Sequence, residues 1–154
     1  VGDVDGDGKA DIVWREINSG AVAIWLMDGL TIGSVGVPGG ALASWTIAEV
    51  GDVDGDGGAD LIWRSTSGAV AIWLMNGLAI SSVGLPGSAP TTWTIEGEGD
   101  VDGDGKADIV WRDISSGAVT IWLMNGLAIS SVGVPGSALA SWSIEGVGDG
   151  DGEE

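Results

Sequence analysis

The chain repeats itself. GDVDGDGKADIVWR begins at Gly2, GDVDGDGGADLIWR at Gly51 and GDVDGDGKADIVWR again at Gly99, a spacing of 49 and then 48 residues. The rest of each unit recurs in the same order. SGAVAIWLM or SGAVTIWLM is followed by Asp-Gly or Asn-Gly, then by a stretch ending in Val-Pro or Leu-Pro, then by SWTI, TWTI or SWSI. A repeat of this length is one supersecondary unit that buries its apolar surface against its neighbours, so the chain must be a solenoid, a propeller or an array. All 154 residues divide as one array: 1–49, 50–97 and 98–147, with 148–154 opening a fourth unit.

Each unit reads as four short strands. IVWR (12–15) is the first run after the acidic loop, AVAIWLM (21–27) the second, TIGSVGV the third and SWTIAEV the fourth. Nothing recurs with the 3.6-residue period of a helix, and glycine punctuates every segment. Asp28-Gly29, Asn76-Gly77 and Asn125-Gly126 suit type I′ hairpin turns, whose two central residues take positive φ. The AVAIWLM run carries no polar residue, and only Thr120 interrupts its third copy. A half-solvated antiparallel strand would alternate, so this one is expected to be covered on both faces. Propeller blades stacked face to face provide that cover. The expected fold is all-β, built of four-stranded antiparallel propeller-type blades.

The acidic loops carry the chemistry. Counting from Asp3, carboxylates fall at positions 1, 3, 5 and 9, namely Asp3, Asp5, Asp7 and Asp11. Gly8 stands at position 6, where a sharp turn is needed, and Lys9 at position 7 offers its carbonyl. This is the ligand order of a calcium loop, hard oxygens converging on a cation that takes six to eight of them. The second loop supplies Asp52, Asp54, Asp56, the Gly58 carbonyl and Asp60; the third supplies Asp100, Asp102, Asp104, the Lys106 carbonyl and Asp108. An EF-hand would need a glutamate at position 12 and flanking helices. Position 12 is Trp14, Trp63 or Trp111, inside a strand. The expected cofactor is Ca²⁺, about one per repeat; magnesium dehydrates too reluctantly for an all-protein cage. Asp149 and Asp151 would begin a fourth site.

The D-x-D-G-D-G-x-x-D-[IL] stretches resemble the FG-GAP/VCBS repeats of integrin α-chain propellers and of large bacterial surface and secreted proteins. The resemblance covers essentially the whole chain. It implies a calcium loop joining the two inner strands of each blade, with SWTIAEV innermost and IVWR, AVAIWLM and the Pro-ending run following outward. It also implies an extracellular or cell-surface location and a structural or adhesive role. The chain departs from the pattern in having three units, where propellers have four to eight blades, and in carrying Trp-Thr-Ile-type sequence before the loop.

Three blades do not close a ring. The chain opens at an acidic loop and runs out through an inner strand, Ser141 to Val147, so the first blade lacks its first strand. A strand from another copy would complete it, giving a six-bladed dimer or, if the rotation does not close, a filament. A piece of a longer array is the remaining reading.

Composition narrows the function. Twenty-three acidic residues face five basic ones, a formal charge of −18, which excludes nucleic acid as a partner. No Cys or His is present, so thiol and imidazole catalysis are out. No apolar run approaches a membrane span. A glycoside hydrolase needs two differently tuned carboxylates, and Glu16, Glu49, Glu96 and Glu98 do not recur in register; no enzyme is expected. The nine tryptophans are the only aromatic residues. Trp25, Trp73 and Trp122 read as core, whereas Trp45, Trp93 and Trp142 follow flexible connectors and are candidate ligand-binding platforms. A lectin is the alternative function, with glycans or surface proteins as partners. Arg15, Arg64 and Arg112 each follow a strand Trp and are expected to pair with loop carboxylates or clamp carbonyls.

Overall fold

The computed structural model describes residues 1–148. Asp149 and Asp151 lie outside them. Among the described residues there is no helix, and so none long and apolar enough to cross a membrane. Among these described residues eleven strands form three antiparallel sheets. β1 (Ile12–Arg15), β2 (Ala21–Asp28) and β3 (Thr31–Gly40) make the first, in that order. β4 (Trp45–Gly51), β5 (Asp60–Ser65), β6 (Ala69–Asn76) and β7 (Ala79–Ser88) make the second; β8 (Trp93–Gly99), β9 (Asp108–Asp113), β10 (Ala118–Asn125) and β11 (Ala128–Ser137) make the third. Each sheet is a meander of a propeller-type blade, and the set is open rather than closed.

The blades hold together through the side chains of the AVAIWLM strand. Successive residues of a strand point to opposite faces. In β6, Ala71, Trp73 and Met75 join Val22, Ile24 and Val4 in a core between blades 1 and 2. Val70 and Ile72 join Ile109, Trp111, Trp122 and Met124 in a core between blades 2 and 3. The middle blade is therefore covered on both faces, as an all-apolar strand requires, while blades 1 and 3 are each covered on one. Burial follows: Trp63 and Trp111 are 1% and 0% exposed, whereas Trp14 at the same position of blade 1 is 46% exposed.

The arginines stitch blade to blade through carbonyls and, among the described residues, without carboxylates. Arg15 donates to the carbonyls of Ala41 (2.7 Å) and Leu42 (3.1 Å), and its guanidinium lies 4.8 Å over the Trp63 ring of the next blade. Arg64 clamps the carbonyls of Gly68, Ala89, Pro90 and Trp93 and lies 4.7 Å over Trp111. Arg112 clamps Ala138 and Leu139, 3.0 Å each. A planar cation that fills carbonyl acceptors at its edge and stacks on indole with its face suits this position.

Two expectations need correcting. The hairpin turns are centred one residue later than Asp-Gly or Asn-Gly implies. Asp28 pairs with Thr31, so Gly29 and Leu30 are the central residues. Gly29 takes φ +62°, and among the described residues no non-glycine residue has positive φ, which is the pattern of type II′ and not type I′. Leucine at the second centre resists positive φ, so the turn shifts to place glycine first. Ser141–Val147 is also not a strand: it has no neighbouring chain to complete a hydrogen-bond ladder, although Val147 packs against Gly97 and Gly99 of β8.

Candidate metal centres

The second and third acidic loops link the inner strand of a blade to the next strand, β4 to β5 and β8 to β9, and the first leads into β1. The loop folds around its first aspartate. Asp3 Oδ1 accepts the Gly6 (2.8 Å) and Asp7 (3.1 Å) amides, and Oδ2 accepts the Gly8 amide at 2.8 Å. Asp52 and Asp100 repeat this with the equivalent amides. The chain can turn so tightly because Gly6 and Gly8 hold φ of +76° and +87°, as do their equivalents in the other loops, where a side chain would be strained.

The ninth position is the anchor. Asp11, Asp60 and Asp108 are almost wholly buried. Asp60 Oδ2 accepts the Val53 amide (3.0 Å) from its own loop, and Oδ1 accepts the Met75 amide (2.8 Å) from β6. Asp11 does the same for Val4 and Met27, and Asp108 for Val101 and Met124. One carboxylate thus ties the loop to two strands of its blade. Sequence reasoning missed this second role, and it missed Val4 and Val53, which sit inside the loops yet are buried in the inter-blade cores. The signal was there: a lone valine within the acidic run at the same place each time.

Three carboxylates converge in every loop. Asp3, Asp5 and Asp11 each offer an oxygen within 4.8 Å of the others, as do Asp52, Asp54 and Asp60, and Asp100, Asp102 and Asp108. Asp7, Asp56 and Asp104 are not in these triads; their Oδ1 atoms accept the amides of Lys9, Gly58 and Lys106 at 2.9 Å. Lys9 also pairs with Asp28 at 3.0 Å. Of the Trp platforms, Trp45 and Trp93 pack partly buried against the two cores, and Trp142 is 69% exposed.

The triads are electrostatically loaded. Burial pushes up the carboxyls of Asp5, Asp54, Asp102 and Asp108, with neighbouring carboxylates adding to the rise. Asp60 is pushed up to about 7, chiefly by desolvation and further by Asp54 and Asp56, against the lowering by the Met75 and Val53 amides. Hard, crowded, desolvated oxygens fit a divalent cation, which would relieve the repulsion. The three clusters could hold a metal ion, and their chemistry is compatible with calcium.

This geometry fixes a pH dependence. In the metal-free chain Asp60 holds its proton more tightly folded than unfolded, where it titrates near 3.8. Its contribution to stability is full below about pH 4 and is lost as pH rises through about 7, on the order of 4 kcal/mol at most. With calcium bound the slope reverses, because the cation competes with protons for the same oxygens. Urea unfolding of metal-stripped chain at pH 5 and pH 8 checks the sign; equal stability at both would refute it.

Residues 3–63 match the family model described as an FG-GAP-like repeat. This segment is similar to an FG-GAP-like repeat. The match takes in the first two acidic loops, and the third unit carries the same loop residues from Gly99 onward. The matched segment runs from the first triad to Trp63, in the strand that follows the second. No curated protein and no solved structure matches the chain.

Proposed function

We propose that this chain is a non-catalytic calcium-binding propeller module of an extracellular or cell-surface protein, structural or adhesive in role, which assembles with other copies of itself. The observation that carries the reading is the triad: three loops of the same build, each with three convergent carboxylates, one of them buried and backed by two main-chain amides. Bound calcium would draw Asp52 and Asp54 of a loop onto Asp60 of a strand, locking the hairpin between β4 and β5. The Lys9, Gly58 and Lys106 carbonyls and the Asp7, Asp56 and Asp104 carboxylates are proposed to complete the shell. Extracellular calcium modules bind at roughly 10⁻⁴–10⁻³ M, which matches a chain whose loops fold around the cation outside the cell.

Calorimetric titration tests it. About three calcium ions per chain are expected, with little competition from equimolar magnesium. A chain that takes up no calcium at millimolar concentration rules the reading out.

The lectin reading draws on one feature. Trp142 lines a shallow cleft of about 500 Å³ with Ser115, Ser116, Ser137 and Leu139. An exposed indole beside hydroxyls suits a sugar ring. A glycan array without hits at high protein concentration would remove it.

A further inference from the structure

The two ends of the blade stack are opposite halves of one interface. Several contacts that join blade 1 to blade 2 recur between blades 2 and 3, and each of these leaves one half open at either end. Arg15 stacks on Trp63 and Arg64 on Trp111, leaving Arg112 with no ring among the described residues and Trp14 with no guanidinium. Leu78 packs on Gly36 of β3, and Leu127 on Gly84 of β7. Their equivalents are Leu30, which is fully exposed, and Gly133, with no atom near the space its Cβ would fill. The Ala59 amide donates to the Asp3 carbonyl and the Ala107 amide to the Asp52 carbonyl, both at 2.6 Å. By the same rule the Ala10 amide would meet an Asp100 carbonyl.

The inner strand shows the same complementarity. Trp45 to Glu49 of β4 pair with Ser65 to Ile62 of β5, and Trp93 to Gly97 of β8 with Asp113 to Val110 of β9. β1 has no inner neighbour except at Gly2, which bridges Asp11. Residues 142–146 have the sequence of that neighbour and no ladder. They already stand in place: a Cβ on Gly99 would lie 2.8 Å from Val147, as a Cβ on Gly2 would lie 2.8 Å from Val50 of β4.

We propose that blade 3 of one copy docks on blade 1 of a second copy. Arg112 then stacks on Trp14, Leu30 seats on Gly133, and residues 142–146 pair with Val13–Glu16 as the missing inner strand. The register follows the two complete blades: Trp142 opposite Glu16, Ser143 opposite Arg15, Ile144 opposite Trp14 and Gly146 opposite Val13. Val1 and Gly2 of the receiving copy continue the strand, since Gly2 already holds Asp11. The contact is heterologous, so two copies can each give and receive once, making six blades. This deepens the assembly part of the function proposed above and rests on its reading of the sheets as propeller blades.

The test is the mass of the full chain in calcium by sedimentation, across a wide concentration range. Twice the 15.4 kDa of one chain, or a ladder of multiples, is expected. Leu30→Asp and Ile144→Asp each alter one open end, and neither side chain lies within a blade core, so both variants should keep the calcium-bound circular dichroism and fall to single-chain mass. Mixing the two should recover a two-copy species, because the Ile144→Asp copy still offers Leu30 to the intact tail of the other. A folded wild-type chain that stays single at every concentration overturns the proposal, as do association that survives both substitutions and a mixture that recovers nothing. Calcium uptake by a single-chain wild type would overturn only the docking; association without calcium uptake would overturn only the calcium reading.

Discussion

Stripping calcium from this chain at pH 8 is expected to lower its melting midpoint by roughly 10–30 °C. The estimate follows from mass action. At about 10 mM calcium and a dissociation constant of 10⁻⁴–10⁻³ M, each site stabilises the folded chain by roughly 1.4–2.7 kcal/mol. Three such sites give about 4–8 kcal/mol, and 1 kcal/mol moves the midpoint of a chain this size by about 2–4 °C. The structure argues for the upper part of the range. Without the cation, Asp60 sits desolvated beside Asp54 and Asp56, and Asp108 beside Asp102 and Asp104, so the folded loops bear a repulsion that the unfolded chain escapes. Thermal scans by circular dichroism, with calcium and after metal stripping, settle it; coincident curves would remove calcium from the account of stability.

Replacing Asp60 by alanine is expected to be costlier than replacing Asp54, and in a different way. Asp54 points into the triad, and its Oδ1 accepts only the Asp56 amide at the loop surface. Asp54→Ala should weaken one calcium site and leave the metal-free chain close to its original stability. Asp60 accepts two amides, Val53 and Met75, both in the buried interior. Asp60→Ala abandons both donors, at about 1–3 kcal/mol each, with or without calcium. Asp60→Asn separates charge from hydrogen bonding. It keeps one acceptor oxygen, should remove Asp60's share of the pH slope of the metal-free chain between about 4 and 7, and should lose the calcium response of the second loop. Urea titrations of the three variants in both conditions give the comparison. Equal losses for Asp54→Ala and Asp60→Ala in metal-free buffer would show that the buried anchor has no separate structural role.

Much of the fold was legible because the repeat averages out local ambiguity. The AVAIWLM run alone could be a buried helix or a buried strand. Three copies, each bounded by glycine turns and strand-length, leave the strand. The order of strands within a blade and the position of the loop between the two inner ones also came through. The turn type did not, because Asp-Gly and Asn-Gly are equally good residues one position earlier; only the pairing of Asp28 with Thr31 shows where the chain reverses. The destination of the arginines was half legible. Carbonyl clamping was among the expectations, but stacking on a tryptophan one blade away is a long-range contact with no local signature. The site was legible as a ligand order and not as a division of labour. Sequence spacing puts four carboxylates in each loop on equal terms; the fold buries the ninth, turns the fifth onto a main-chain amide, and leaves three converging.

The strand order has a consequence for how such a chain is made. Within each blade, every hydrogen-bond ladder joins strands that are consecutive in the sequence, with no crossover. Each blade then touches only the one before and the one after, so contacts stay between neighbouring repeats. Loop-closure costs within a blade are small under those conditions. A chain emerging from the ribosome can complete a blade before the next has been translated, each finished sheet offering a template on which the following one condenses.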